Sequence, residues 1–176
     1  MERISSKTVH EGEIATVRID RFRYPDGSER DREIVSHPGA VAIVAHDEER
    51  LWMVRQPREA VGEDALLELP AGKLDVEGES PLECAQRELE EEVGKRATDW
   101  REVKRFYTSP GFAQEEVTVY LATGLEDASA QADEEERIEV VPWRLGDLDG
   151  AIEECRDAKS LIGLMIFREL RSASDA

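Results

Sequence analysis

The segment Ser80 to Gly94, SPLECAQRELEEEVG, admits one local structure. A Ser hydroxyl at position 80 can cap the exposed N–H groups of a first turn, and Pro81 suits the first helical position because its φ is already fixed. Gly94 tolerates the left-handed conformation that ends a helix. A helix over Pro81 to Val93 is therefore predicted. At about 100° per residue, Leu82, Ala85, Gln86, Leu89 and Val93 fall on one side, which must face a core. Short apolar runs bounded by turn signals flank this helix: GAVAIVAH (39–46), RLWMVRQ (50–56) and ALLELPAG (65–72) before it, EVKRFYTS (102–109), EVTVYLAT (116–123) and IEVVPWR (138–144) after it. Runs of this kind read as strands. Two more helices are expected, LGDLDGAIEECRDA (145–158) and KSLIGLMIFRELR (159–171). Strands joined by short turns and mixed with three helices define an α/β fold with a mixed or mainly antiparallel sheet. A Rossmann-like arrangement fails for want of a glycine-rich strand-to-helix turn. Near the N-terminus, EIATVRIDRFRY and ERDREIVSH flank the turn PDGS, which predicts a thin, polar hairpin from Glu13 to Val35.

At 176 residues the chain fits one domain with a small extension. Its formal net charge of −18 argues against a nucleic-acid partner, which needs a basic footprint, and means that an anionic ligand would need help from a cation. The longest apolar run, around Leu161 to Phe167, is too short to span a bilayer, and MERISSKTVHEGE lacks the apolar stretch of a signal peptide. A cytoplasmic protein without a membrane partner is expected. Cys84 and Cys155 have neither metal-ligand spacing nor the density of a disulfide scaffold, so both are expected reduced, with Cys84 a small buried or half-buried thiol.

Five glutamates stand within ten positions of the predicted helix: Glu83, Glu88, Glu90, Glu91 and Glu92. Like charges three and four residues apart weaken a helix. Glu88, Glu91 and Glu92 gather on one arc, and Glu92 lies at the edge of the apolar face, partly out of water. Carboxylates sharing such a place either raise a pKa or hold a cation. A hard cation such as Mg²⁺ suits the second option. For a Glu-rich helix taken alone, a solvated face is the ordinary outcome.

The preceding segment changes that balance. Gly72 to Gly94 reads GKLDVEGESPLECAQRELEEEVG and resembles the Nudix box at Gly72, Glu79, Arg87, Glu88, Leu89, Glu91, Glu92 and Gly94. Two positions depart from the pattern: six residues instead of five separate Gly72 from Glu79, and Lys95 stands where an aliphatic residue is usual. The resemblance implies a Nudix-type α/β/α sandwich with a mixed sheet over residues 37–176, preceded by a small β-hairpin extension over 1–36. It also implies that Glu88, Glu91 and Glu92, with the backbone carbonyl of Ala71, bind catalytic Mg²⁺, or Mn²⁺ in its place.

TSPGF, with Pro110 sixteen residues beyond Gly94, resembles the ADP-ribose pyrophosphatase branch of the family, as do LLELPAGKLD and VRQPREAV. That branch implies hydrolysis of ADP-ribose to AMP and ribose 5-phosphate, and a swapped homodimer formed through the extension. Related substrates, ADP-glucose or GDP-mannose, would use the same catalytic residues. A non-catalytic ADP-ribose sensor is the competing class, opposed by the intact box. The branch supplies its base from a late acidic loop, which by position here is ADEEERIEV: Glu134 is the expected base and Glu136 its helper or a metal ligand, with Glu91 as a third catalytic carboxylate. Arg58 matches a phosphate-binding arginine. Arg32 could approach the adenine or diphosphate from the partner chain, and Gly111, Phe112 and Glu115 could line the terminal ribose pocket. Ordinary roles for these are surface ion pairs for the arginines and core packing for Phe112.

Overall fold

The computed structural model describes residues 1–128 and 137–174. They form two compact units, one comprising residues 1–39 and 106–116, the other residues 40–105 and 117–176.

In the first unit, β1 (Glu2–Glu11), β2 (Thr16–Arg23) and β3 (Glu29–Ser36) make an antiparallel sheet in the order β1-β2-β3. The PDGS turn joins β2 to β3 as predicted, with Gly27 at φ 81°. The extension is thus a three-stranded sheet and not a hairpin. Polar MERISSKTVHEGE carries no apolar alternation to mark a strand, and tertiary pairing overrides weak propensity there. Asp20 of β2 is buried to 1% exposure and accepts hydrogen bonds from Ser6 Oγ at 2.5 Å and Arg18 Nε at 2.9 Å, so a paired charge stands where the thin sheet lacks a large apolar side chain.

The second unit is built on a mixed sheet. Its main path runs β10-β5-β4-β9-β8, from β4 (Ala40–His46), β5 (Arg50–Arg58), β8 (Lys95–Tyr107), β9 (Glu116–Asp127) and β10 (Glu139–Arg144). β6 (Glu63–Glu68) pairs with β5, and β7 (Ala71–Lys73) pairs with β4. β4 and β9 are parallel, in register Ile43 to Tyr120, whereas β4–β7, β5–β6 and β5–β10 are antiparallel. Because side chains alternate along a strand, β4 divides its residues between two faces. Val41, Ile43 and Ala45 join Val54, Tyr120 and Ala122 against Cys84, Ala85, Leu89 and Val93 of the predicted Pro81 helix. On the other face Val44 and Val119 approach Gly163 of α3 (Ala158–Ser174), where an added Cβ would meet Leu69 Cδ1 at 2.6 Å. Close approach of α3 to the sheet therefore requires glycine at 163. α2 (Leu148–Glu154) precedes α3 in the chain. Among the described residues no helix is long and apolar enough to cross a membrane.

Candidate active site

The acidic helix begins as the sequence requires. Ser80 Oγ accepts from Glu83 N–H, and the Glu83 carboxylate accepts from Ser80 N–H at 2.8 Å. This reciprocal cap satisfies two end groups and gives the first glutamate a purely structural task. The α-helix proper, α1, is Pro81–Glu88, shorter than the predicted Pro81 to Val93. From Leu89 to Val93 the chain forms one π-helical turn, closed by Gly94 in the left-handed conformation at φ 70°, whose N–H reaches the carbonyls of Glu90 and Leu89. Such wide turns recur at functional sites. The inward set also differs from a uniform 100° projection. Leu82 and Gln86 are exposed, while Cys84, Ala85, Leu89, Glu92 and Val93 are buried. Burying Leu89 fully contributes about 1.5–3 kcal/mol and anchors the turn that carries the carboxylates.

Glu92 is only 5% exposed, deeper than the edge position expected of it, and its Oε2 accepts from the Ala71 N–H at 2.9 Å. The Ala71 backbone, whose carbonyl the resemblance names as a metal ligand, is tied through its N–H to Glu92. Glu88 lies directly on Gly72: a Cβ built there would stand 2.0 Å from Glu88 Oε1 and 2.1 Å from its Cδ. Only glycine leaves room for that carboxylate. Arg87 Nη1 bridges Glu88 Oε1 and Glu91 Oε2 at 2.8 Å each. Its Nε and Nη2 grip Glu79 at 2.9 and 3.1 Å. This pairing above all raises the Arg87 pKa and holds the Glu79 carboxyl below its ordinary value, although burial opposes both. The repulsion among Glu79, Glu88 and Glu91 is thereby offset by one guanidinium. Burial foremost, with Glu88 and Glu79 adding to it, pushes the Cys84 thiol up to about 12, so it stays protonated as a packing group.

The donor set suits a divalent cation: three carboxylates of one helix, glycine clearance beside one of them, and a backbone segment hydrogen-bonded to another. Among the described residues no three Asp, Glu, His or Cys side chains are gathered in ligand geometry. Glu88, Glu91 and Glu92 are the side chains that could hold such an ion, and Arg87 has its own anchor in the two bonds to Glu79.

Both departures from the box have local explanations. The additional residue between Gly72 and Glu79 is absorbed by a turn closed by the Glu79 N–H to Val76 carbonyl bond, with Gly78 at φ 84°. Lys95 lays its ammonium 4.5 Å from the Trp52 ring centroid and pairs with Asp127, covering apolar surface as an aliphatic side chain would.

Arg58, at the end of β5, donates Nε and Nη2 to the two oxygens of Glu68 at 2.6 and 2.9 Å. Its charge is supported by Glu68 first, and also by Asp157 and Glu92, which puts it in the electrostatic neighbourhood of the helix carboxylates. The other expected substrate residues belong to the first unit. Gly111, Phe112 and Glu115 share one loop, strapped to β3 by Val35 N–H to the Phe112 carbonyl and Gln114 N–H to the Val35 carbonyl. Phe112 is 56% exposed, so core packing does not describe it. Glu115 accepts from Thr108 Oγ1 at 2.7 Å. Arg32 is exposed, donates to the Asp31 carbonyl and lies 6.0 Å from the Tyr24 ring centroid. Glu134 and Glu136 lie outside the described residues.

Two partners escaped the sequence reading. Glu79 matched a motif position without a role and proves to be the anchor of Arg87. Glu68 is 1% exposed between Leu67 and Leu69; an acidic residue inside an apolar run was the available signal, since a buried charge needs a partner.

A family model for the NUDIX domain matches residues 35–157. The chain is 48% identical over 144 residues to an ADP-ribose pyrophosphatase of Mycobacterium tuberculosis, covering 81% of this chain and 69% of that one. It is 39% identical over 178 aligned positions to an ADP-ribose pyrophosphatase of Bacillus subtilis, covering 98% and 95%. A crystal structure of an ADP compounds hydrolase superposes with a TM-score of 0.85 at 26% identity, covering 98% of this chain and 95% of that one. The sheet between helices and the carboxylate-bearing turn after Gly72 are those of a nucleoside diphosphate hydrolase fold. The chain belongs to the Nudix family.

Proposed function

We propose that this protein hydrolyses the diphosphate of ADP-ribose to AMP and ribose 5-phosphate with Mg²⁺, Mn²⁺ serving in its place. The substrate assignment is carried by the likeness to two ADP-ribose pyrophosphatases across most of the chain. Glu88, Glu91 and Glu92, with the Ala71 carbonyl, would hold the metal, which when bound neutralises phosphate charge and lowers the pKa of water. Glu134 takes the proton from the attacking water, with Glu136 and Glu91 as supporting carboxylates. The water oxygen forms a new bond to one phosphorus while the bridging P–O bond breaks and its oxygen leaves on the other phosphate. Arg58 receives the diphosphate through a guanidinium fork. Gly111, Phe112 and Glu115 line the terminal ribose pocket, and Arg32 reaches the adenine or diphosphate from a partner chain. Residues 1–36 are the dimerisation extension, and residues 37–176 the catalytic domain.

The test is release of the nucleoside monophosphate, AMP from ADP-ribose and ADP-glucose or GMP from GDP-mannose, with Mg²⁺ and with EDTA. Metal-dependent turnover fastest with ADP-ribose is expected. Preference for another nucleotide sugar would reassign the substrate while keeping the chemistry. Light scattering should give twice the 19.9 kDa of one chain; a single-chain mass would remove the dimer.

A further inference from the structure

The Arg58 head group is held before any substrate arrives. Glu68, 1% exposed, accepts two of the five guanidinium N–H donors, so three remain, on a side chain that is 41% exposed. Lys159 Nζ donates to the same Glu68 Oε2 that Arg58 Nη2 reaches. Lys159 is itself paired with Asp157, so two cations face two carboxylates and what the cluster offers an anion is an ordered guanidinium fork.

The brace continues into the backbone. Asp157 Oδ2 accepts from Lys159 Nζ at 2.9 Å, Ser160 N–H at 3.0 Å and Ser160 Oγ at 2.6 Å, capping α3. Ser160 Oγ in turn accepts from the Leu69 N–H at 2.7 Å. The cap of α3 thus fastens both the Glu68 side chain and the backbone that follows it, two residues before Ala71 and its bond to Glu92. Surface arginines lose rotamer freedom on binding an anion, and a fork ordered in advance avoids that loss.

We propose that Glu68, braced by Lys159 and the Asp157–Ser160 cap of α3, is a positioning residue that presents Arg58 to the diphosphate of the substrate. This rests on the function proposed above. Glu68 touches no reacting atom; it acts through Arg58.

The test is steady-state hydrolysis of ADP-ribose by the full chain, with calorimetric binding of inorganic pyrophosphate as a second readout. Glu68→Gln should raise KM on the order of tenfold, the scale of ordering one long side chain, with a smaller change in kcat. In an Arg58→Met background the same substitution should change KM by less than about twofold, because the positioned group is gone. A KM for Glu68→Gln equal to the wild type, or an equal loss with and without Arg58, would overturn the proposal. Should Glu68→Gln fail to fold, Lys159→Met decides: it removes the brace from Glu68 and keeps the Arg58 guanidinium. A weaker KM that disappears in the Arg58→Met background supports positioning, and an unchanged KM defeats it. If the wild type hydrolyses no nucleotide sugar yet binds pyrophosphate, with Glu68→Gln weaker, the proposed function fails while the positioning role stands. Equal pyrophosphate binding by both would end the positioning role as well.

Discussion

Gly72→Ala separates the placement of Glu88 from the stability of the fold. A Cβ at position 72 would lie 2.0 Å from Glu88 Oε1, whereas ordinary contact begins at 3.4 Å, so the carboxylate must retreat by at least 1.4 Å. The obstructing atoms are the outer end of a flexible side chain, and Gly72 does not hold a positive φ. The stability cost should therefore sit at the low end of the overpacking range, about 1 kcal/mol, including the Arg87 to Glu88 bond at 2.8 Å that must rearrange. Function should respond far more, because displacing a catalytic group by about 1 Å costs on the order of 100-fold in rate. Thermal unfolding by circular dichroism and AMP release from ADP-ribose at saturating Mg²⁺ would be read on the same preparation. A small shift in melting temperature with a large loss of turnover is expected. Near-normal turnover would show that the position of Glu88 against Gly72 is irrelevant to the chemistry. Loss of folding would show that Glu88 cannot move, which refutes the division between stability and placement.

Glu92→Gln should fold normally, since a Gln amide oxygen can still accept the Ala71 N–H now 2.9 Å from Glu92 Oε2, yet hydrolysis should fall to background; retained turnover would remove Glu92 from the metal set. Glu134→Gln should lose turnover by about 10²–10⁴-fold, the usual contribution of a general base, while calorimetry still detects Mg²⁺ and ADP-ribose binding. A full-speed variant would move the base to Glu136. Asp157 is held below the ordinary carboxylate value: burial pushes its pKa up, but the Lys159 charge and the Ser160 hydroxyl and N–H outweigh it. Its contribution to stability is present above the unfolded pKa of about 3.9 and is lost as pH falls through the lower folded value. Acid titration of the melting temperature should thus be shallower below about pH 4 for Asp157→Asn than for the wild type; superimposable curves would refute the role of that carboxylate.

Much of the chain was legible because local chemistry and tertiary role agree. Ser80, Pro81 and Gly94 specify helix ends through backbone hydrogen bonding and φ alone, and each does in the fold what its residue type dictates. The alternating or continuous apolar runs became strands for the same reason, and Glu88 and Glu92 lie on the predicted helical segment, beside Gly72 and Ala71. The readings failed where a residue's role depends on something distant in sequence. β1 exists because β2 offers its edge and Asp20 its carboxylate, which polar MERISSKTVHEGE does not encode by itself. The π turn widens a helix whose residues would equally fit a uniform α-helix, and its Leu89 and Val93 lie in one buried cluster with Val54 and Ala45, residues distant in sequence. Charge partners follow the same division. The family resemblance singled out Arg87 and Arg58, but that Glu79 and Glu68 hold them could not be read from it. An ion pair is a contact between side chains, and the 91 positions separating Glu68 from Lys159 are closed only by the fold that brings α3 to the end of β6.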